Sequence, residues 1–511
     1  MRIGLIPLDE RPVNTRHPMM IARIAGVELA MPPFAILSKQ RTPANCVALA
    51  EWLQTEYGRL DALIVDLEML AFGGLIASRT TTDPLAIAIA RLDLLRELRA
   101  THPALPLLAF QVITRISNAD DSIEEPLYWA TYGTRLYRFS QLSDRALRGE
   151  AVQAQLAALR AEIPAEHMHD FLWRRHRNHT LNAAALHMLA DGIFDLFVLS
   201  SDDTSAYGLG TREKAWLAEL AGRLGLLDDV SAITSPVDQL LMYPGADEVG
   251  CVLLARQLNT NARRTPRIAP IYDDVAGAEI TAPYEDGPAR ITIERQIRAV
   301  GGVLAAPDDA DLVLAVVTPV PRRSEWSTEF AEAEREQRLP QLRALSAEIV
   351  RRVAIGQRVI VADIAYPNGA DPVFFEVLRD VIDLRTLAGY GAWNTAGNTI
   401  GTALAQGCAA LDATTPERKQ AAEQFLLHHY LEDWGYQQVV RRQARDWLMQ
   451  TIGHDDPTPE LVAETASWIG ERLSALIAEL PGFAGRWRLT NTRLPWNRTF
   501  EVDFDLERHE Y

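Results

Sequence analysis

The chain has 511 residues, 48% of them hydrophobic and 23% charged, which is the composition of a folded globular protein and excludes disorder. Its 51 Lys and Arg against 68 Asp and Glu give a net charge of −17, which argues against partners such as nucleic acid or an anionic membrane surface. Three cysteines and no C-x-x-C pair exclude a disulfide framework and cysteine-based structural zinc. No signal-like apolar core opens the chain and no apolar stretch approaches ~18 residues, so we expect a cytoplasmic protein without a membrane segment.

Short apolar runs alternate with helical patterns from the start of the chain to about residue 410. Each run has the length expected of a strand that is buried on both faces. Repeated alternation of strand and helix predicts an α/β fold with a mostly parallel sheet. The candidate strands are Ile3–Leu8, Ala62–Val65, Leu107–Ile113, Leu196–Leu199, a weaker one within Ser231–Met242, Ile268–Tyr272, Leu312–Val317, Val359–Ala362 and Arg385–Gly389. The helical patterns between them include Asp83–Leu98, Arg212–Leu224 and Ile291–Val300.

Two architectures fit this alternation. The one that we predict is an elaborated (β/α)8-like barrel, and the alternative is two doubly wound α/β domains divided near Asn259–Pro266. Beyond residue 410 the pattern changes, because Pro416–Gln450 and Thr458–Leu480 are typical of helices and Phe500–Phe504 alternates like a half-buried strand. We therefore predict a catalytic domain over residues 1–410 and a C-terminal helical cap with a returning strand over residues 411–511.

Acidic, amide and aromatic residues follow five of the candidate strands directly. In parallel α/β folds the loops at the carboxyl ends of strands build the ligand site, so the shared placement predicts one pocket. Any one of these residues could equally be a helix cap or a turn residue. The predicted pocket residues are Asp9, Glu10, Asp202, Asp203, Asp363, Asn368, Trp393 and Asn394, and Arg11, Asp66, Asp247 and Glu248 are further substrate-binding candidates.

The pair Asp202-Asp203 is the most distinctive of these features. Like charges this close oppose each other's ionisation, so one of the two pKa values should rise. A carboxyl group with a raised pKa can act as a general acid while its partner stays ionised, which is what protonation of a glycosidic leaving group requires. Adjacent acids after a strand also resemble the N-acetylhexosaminidases that use substrate assistance, in which the first acid orients the acetamido group and the second is the acid. The alternative is a capping acid beside a solvated neighbour.

Two other groups of residues allow a functional and a structural interpretation. Trp393 beside Asn394 could stack on a sugar while amides bind its hydroxyls, or it could be a core tryptophan followed by a turn. For Asp247 and Glu248 the favoured interpretation is a first helical turn, where acids complement the helix dipole. Four arginines near candidate pocket loops could bind a substrate carboxylate or phosphate, or could pair with neighbouring acids; they are Arg11, Arg79, Arg115 and Arg177.

Seven ordered motifs together resemble the bacterial domain-of-unknown-function 4127 family, and they extend from residue 7 to about residue 501. The resemblance implies a single family over essentially the whole chain and implies no particular activity. The motifs are PLDERPVN (Pro7–Asn14), DLEMLAFGGLIASR (Asp66–Arg79), SSDDTSAYG (Ser200–Gly208), YPGADEVG (Tyr243–Gly250), ADIAYPNGAD (Ala362–Asp371), WNTAGNT (Trp393–Thr399) and LPWNRTFE (Leu494–Glu501).

The functional hypothesis that follows is a carbohydrate-active hydrolase, a glycoside hydrolase with Asp202 and Asp203 as its reacting carboxylates. It would act without a cofactor or metal on a small-molecule or oligosaccharide substrate. One alternative is a divalent-metal-dependent hydrolase or lyase acting on a small polar metabolite, because carboxylates also bind hard cations. The other alternative is a sugar-binding protein without catalytic activity. The H-x-H pair His167 and His169 has metal-like spacing, but it lies in a polar helical connection far from any strand end.

Overall fold

The structure, a computed structural model, describes residues 1–229, 238–327 and 331–509. Thirteen strands lie in these ranges: β1 Arg2–Ile6, β2 Glu28–Ala30, β3 Ala62–Asp66, β4 Leu107–Ile113, β5 Leu196–Ser201, β6 Leu240–Pro244, β7 Arg267–Tyr272, β8 Val303–Leu304, β9 Leu312–Val317, β10 Arg358–Asp363, β11 Gly389–Gly391, β12 Trp487–Arg493 and β13 Asp503–Arg508.

Helices connect almost all of these strands. The α-helices are α1 Pro12–Ala25, α2 Cys46–Glu56, α3 Leu67–Phe72, α4 Leu75–Thr80, α5 Leu85–Thr101, α6 Trp129–Leu147, α7 Gln153–Ala161, α8 Ala165–Ala190, α9 Leu209–Arg223, α10 Val249–Asn261, α11 Ala289–Ala299, α12 Ala331–Ala354, α13 Pro372–Val381, α14 Ala396–Ala410, α15 Pro416–His429, α16 Arg441–Ile452 and α17 Val462–Ile477. A π-helix spans Tyr430–Val440. Short 3-10 turns lie at Phe34–Ile36, Tyr57–Arg59, Gly277–Glu279, Pro307–Asp309, Leu384–Thr386 and Pro495–Asn497.

The chain divides into two compact units, each built from more than one segment. Unit 1 comprises Met1–Glu10, Val27–Leu253 and Tyr284–Asp286. Unit 2 comprises Arg11–Gly26, Leu254–Pro283 and Gly287–Tyr511. The predicted division into residues 1–410 and 411–511 follows other bounds and stays a prediction.

Unit 1 contains a six-stranded parallel sheet with the order β2-β1-β3-β4-β5-β6. Strands β3 to β6 are buried along their whole length, as their continuous aliphatic sequences predict. Burying one large apolar side chain contributes roughly 1.5–3 kcal/mol, so these central strands provide most of the unit's core. The core side chains include Ile6, Leu63, Val65, Leu107, Phe197, Leu199 and Leu240.

Unit 2 contains a five-stranded parallel sheet with the order β11-β10-β9-β7-β8. Its core continues from β9 and β10 into α15, the π-helix and α17, with Phe375 stacked on Trp434 at a centroid distance of 4.6 Å. Strands β12 and β13 pair antiparallel beside α17. In each of the two parallel sheets the strand that comes first along the chain lies between the second and the third, which is the order of a doubly wound fold.

The mostly parallel α/β fold is therefore confirmed, but the parallel strands of the described ranges form two separate sheets where we expected one barrel. The expected strand at Arg385–Gly389 is wrong over its first residues, because the Asp383 side chain accepts a hydrogen bond from the Arg385 amide and starts a 3-10 turn; β11 begins only at Gly389. The weak strand is present as β6, and the rest of the predicted range at 231–237 lies outside the described residues. The returning strand starts at Asp503, three residues later than Phe500.

Candidate functional site

The carboxyl edge of the unit 1 sheet gathers the acids that the sequence predicts there. Asp9 follows β1, Asp66 ends β3 and Asp202 follows β5, while Asp247 follows β6. The direction of the chain reverses between β1 and β3, and ligands of doubly wound folds bind outside the carboxyl ends of strands near such a switch point. This edge is therefore the candidate location of a ligand-binding site.

Beyond the ends of β3, β4 and β5, two arginines lie among four carboxylates. Arg79 from α4 donates hydrogen bonds to Asp202 Oδ2 at 2.5 Å and to Glu124 Oε2 at 3.0 Å. Arg115, which follows β4, donates to the same Glu124 oxygen at 2.9 Å and to Asp203 Oδ2 at 3.1 Å. Both arginines are thus paired with acids of the chain. We call this group the charged cluster; its members are Arg79, Arg115, Glu124, Glu125, Asp202 and Asp203.

Glu125 is the most deeply buried carboxylate of the charged cluster. Its Oε1 lies 3.3 Å from Arg115 Nε and 3.6 Å from Arg79 Nη1, and its side chain is 5% exposed. Burial raises the pKa of Glu125, and the two arginines oppose that rise. Neither Glu124 nor Glu125 was predicted from sequence, because a glutamate pair in a polar loop carries no distinctive signal.

Asp203 has an uncommon backbone conformation and a raised pKa. Its φ of +42° lies in the left-handed region, which is uncommon for a residue other than glycine. Burial and the neighbouring Asp202 raise the pKa of Asp203 to about 6, against the opposing effect of Arg115 and Arg79. Asp202 is held in a short ion pair by Arg79. The two adjacent carboxyl groups therefore have different environments, as the sequence predicted for the pair.

A small pocket with a cavity volume of about 30 Å³ opens beside the charged cluster. Asp202, Asp203 and Arg115 form part of its wall. Most of the other lining side chains carry hydroxyl or amide groups, which can donate and accept hydrogen bonds at the mouth of the pocket. These side chains are Thr114, Tyr137, Ser140, Gln141, Ser201, Thr204, Ser205, Tyr207 and Thr211.

A second acidic group lies at the switch point itself. Asp66 caps α3, since its Oδ1 accepts a hydrogen bond from the Met69 amide at 2.6 Å, and Glu68 Oε1 accepts one from Val112 at 3.1 Å. Burial, and then Glu68 and Asp9, raise the pKa of Asp66 well above its usual range. Burial raises the pKa of Glu68 to about 7. Asp66 therefore has the capping role that was the structural alternative for it.

Glu10 binds the loop after β2, and Glu248 binds the loop that precedes it. Glu10 accepts hydrogen bonds from Ser38 at 2.5 Å and from the Gln40 amide at 2.6 Å. Glu248 accepts one from the Ala246 amide at 3.0 Å and is fully buried, and Asp247 beside it is 4% exposed. These contacts favour the structural interpretation of the Asp247-Glu248 pair.

Arg177 was one of the four arginines considered for substrate binding. It is buried, donates to the carbonyls of Ser78 and Thr81, and lies over the ring of Phe72 at 4.3 Å. It therefore holds the segment after α4 in place. Arg11 lies in unit 2, where its guanidinium stacks on Trp496 at 4.6 Å.

The other predicted pocket residues belong to unit 2. Asp363 ends β10, is fully buried, and accepts hydrogen bonds from the amides of Ala365 and Asp371, so it shapes the following loop. Asn368 and Asn394 have left-handed φ values of 59° and 65°. Trp393 is 5% exposed and meets Phe500 edge to face, which is the packing interpretation. That these residues line one pocket with Asp9 and Asp203 stays a prediction.

Asn368 also lines a basic pocket within unit 2. Its side-chain amide donates to Glu325 at 2.8 Å, and its backbone amide donates to the Asn394 carbonyl at 2.9 Å. Three arginines and two glutamines of the π-helix and α16 form much of the pocket lining. They are Gln437, Gln438, Arg441, Arg442 and Arg445.

Sequence reasoning missed a cluster of buried histidine and glutamate in unit 2. His17 of α1, His428 of α15 and Glu432 of the π-helix bring three ligand-type atoms within 4.8 Å of one another. The i, i+4 spacing of His428 and Glu432 in a predicted helix was the available signal. The H-x-H pair lies elsewhere: His169 is exposed, and His167 stacks on Tyr128 at 4.7 Å.

Taken together, the sheets and the charged edge define an α/β protein with doubly wound parallel sheets and an acid-rich candidate site in unit 1. Residues 3–505 match the family described as "Protein of unknown function (DUF4127)", and the chain belongs to that family. This confirms the resemblance carried by the seven motifs. A comparison with curated proteins gave no match. Among helices in the described ranges, none combines the length and the apolar character needed to span a bilayer.

Proposed function

We propose that the protein is a carbohydrate-active hydrolase whose general acid is Asp203. The observation that carries the proposal is a carboxyl group with a pKa of about 6 in the wall of a hydroxyl-rich and amide-rich pocket. Such a group is partly protonated near neutral pH, so it can deliver a proton to the leaving oxygen of a glycoside. The cytoplasmic location expected from the sequence stays a prediction.

The contacts of the charged cluster support different tasks for the two aspartates. Arg115 contacts Oδ2 of Asp203, so the transferable proton would sit on Oδ1. Arg79 pairs with Asp202, which keeps a negative charge beside the reacting centre, where positive charge develops in an oxocarbenium-like transition state. In an N-acetylhexosaminidase-like reaction, Asp202 would orient the acetamido group while Asp203 protonates the leaving group.

The test is turnover of a panel of aryl glycosides, including N-acetylhexosaminides, with leaving groups of graded acidity. We expect Asp203→Asn to lower the rate by roughly 10²–10⁴-fold for poor leaving groups and least for activated ones, because only the former need the proton. Asp202→Asn should slow all leaving groups alike. Asp191→Asn is the matched control, since Asp191 is an exposed acid of the same unit.

Four outcomes would contradict the proposal. No turnover across the panel, or unchanged turnover in Asp203→Asn, would remove the catalytic role. Tight sugar binding without turnover would favour the sugar-binding alternative. Activity that disappears on chelation and returns with a divalent cation would favour the metal-dependent hydrolase or lyase.

A further inference from the structure

Two histidines and one glutamate meet inside unit 2 although they come from three different elements. Oε2 of Glu432 lies 3.6 Å from His17 Nε2 and 3.6 Å from His428 Nδ1. His17 is 2% exposed, His428 is 1% exposed and Glu432 is 4% exposed. Histidines this deeply buried and this close to a carboxylate need a partner for their ring nitrogens.

Hydrogen bonds do not supply that partner within the described ranges. Neither ring nitrogen of His17 or His428 has a hydrogen-bond partner there, and the same holds for Oε2 of Glu432. The neighbouring pair His429 and Asp433 has the same i, i+4 spacing, but its facing atoms are in contact. Nδ1 of His429 lies 3.1 Å from Asp433 Oδ2, and this oxygen also accepts a hydrogen bond from the Ala392 amide at 2.7 Å. An unpaired buried polar group costs about 1–3 kcal/mol, so three of them together call for a ligand.

We propose that His17, His428 and Glu432 bind a divalent first-row transition-metal ion such as Zn²⁺. Nitrogen and oxygen ligands lie about 2.0–2.2 Å from such an ion, which places two ligands of a tetrahedral site about 3.4 Å apart. The two separations of 3.6 Å match that geometry within a few tenths of an ångström. The donor set itself excludes Mg²⁺ and Ca²⁺ as preferred ions, because both select oxygen ligands.

The charges around the cluster agree with a bound cation. Asp433, Glu501 and Asp503 surround Glu432 with negative charge. Arg16 and Arg493 pair with Asp503, and Arg498 pairs with Glu501. A divalent ion at the cluster would add to this compensation of the negative charge.

The fold holds the three ligands rigidly. His428 stacks on Phe504 at 4.6 Å, and His17 meets the His428 ring edge to face at 5.3 Å. Glu432 lies in the first turn of the π-helix Tyr430–Val440, a rare conformation that recurs at functional sites. Three protein ligands leave one tetrahedral position for water or a substrate atom, whereas structural zinc sites use four protein ligands.

The first experiment measures metal uptake by the full-length protein. Protein stripped with a chelator and dialysed should take up one Zn²⁺ per chain, and one Co²⁺ should produce visible d–d absorption typical of nitrogen and oxygen ligands. Failure of the wild-type protein to bind either ion would overturn the proposal, whatever the activity of the protein proves to be. Because this readout is metal content and absorption, it is independent of the proposed hydrolase function.

Variants then locate the ion. His428→Gln and Glu432→Gln should each weaken Zn²⁺ binding by at least about 100-fold, since loss of an outer-shell partner alone costs about 10–100-fold. His17→Gln tests the same point from a different helix if one of the former fails to fold, as judged by circular dichroism. The double variant His167→Gln/His169→Gln is the control and should keep full binding. Equal Zn²⁺ affinity in the cluster variants and the wild type would contradict the assignment.

Discussion

Replacing Glu68 by Gln should make unit 1 more stable at pH 8 and leave it almost unchanged at pH 4. Burial raises the pKa of Glu68 from its usual 4.5 to about 7, so the folded state binds the proton more tightly than the unfolded state. The wild-type chain must therefore lose stability as the pH rises from 4.5 to 7. Glutamine carries no charge and can keep the hydrogen bond that Glu68 Oε1 accepts from the Val112 amide.

The size of the effect follows from the shift of the pKa. Each step of one in pKa corresponds to about 1.4 kcal/mol, so the change from 4.5 to about 7 corresponds to about 3 kcal/mol of lost stability above pH 7. The variant should avoid this loss, although Asp66 shares the burial and the charge of the pair. A gain of about 3 kcal/mol at pH 8 is thus the upper value that we expect.

Amide hydrogen exchange of β4 is the local assay, because the Val112 amide contacts the substituted side chain directly. Exchange rates are corrected for the intrinsic pH dependence and converted to free energies of opening at pH 4.5 and pH 8. Glu97→Gln, an exposed acid of α5 in the same unit, is the control and should run parallel to the wild type. Parallel profiles for Glu68→Gln and the wild type would refute the inference that Glu68 is protonated on folding.

Three further predictions concern other sites. If Asp203 is the general acid, turnover of substrates with poor leaving groups should fall as the pH rises through about 6, and a profile flat from pH 5 to 8 would contradict that role. Gly407→Ala should lower the free energy of unfolding, measured in urea, by about 1–3 kcal/mol, because the new methyl group would lie 2.1 Å from Ile360 Cδ1. An unchanged free energy of unfolding would mean that the Ile360 side chain moves aside freely. Glu213→Gln should lower the free energy of unfolding by about 3–5 kcal/mol in the same assay, since it breaks the buried bidentate ion pair with Arg175. A loss below about 1 kcal/mol would contradict the stabilising role of this ion pair.

Strands and their carboxyl-end acids could be predicted because both are local properties of the sequence. Leu196–Leu199 is a continuous apolar run followed by Asp202-Asp203, and the structure places the pair at the end of β5. The choice between one barrel and two sheets could not be made in this way. A single barrel would require β6 to pair with β7, and strands of the same composition can form either arrangement.

The candidate ligands were harder to predict because they are distant in sequence. More than 400 residues separate His17 from His428, and the intervening chain gives no sign that α1 packs against α15. Glu124 and Glu125 were missed for another reason, since their contacts with Arg79 and Arg115 arise only when the loop after β4 folds over the sheet edge. Pairings of this kind are tertiary and leave no periodic pattern.

The three-segment make-up of unit 2 has a consequence for synthesis of the protein. Helix α1 packs against α14 and α15, whose residues follow about 370 positions later. At a translation rate of about 5–20 residues per second, α1 leaves the ribosome on the order of 20–70 s before its partners exist. During that interval the surface of α1 that α14 and α15 cover is exposed, which makes the nascent chain a substrate for chaperones and vulnerable to aggregation. For the same reason, cutting the gene between the codons of Leu253 and Leu254 would yield a C-terminal fragment that lacks α1. Independent expression of unit 2 therefore requires α1 to be joined to that C-terminal fragment.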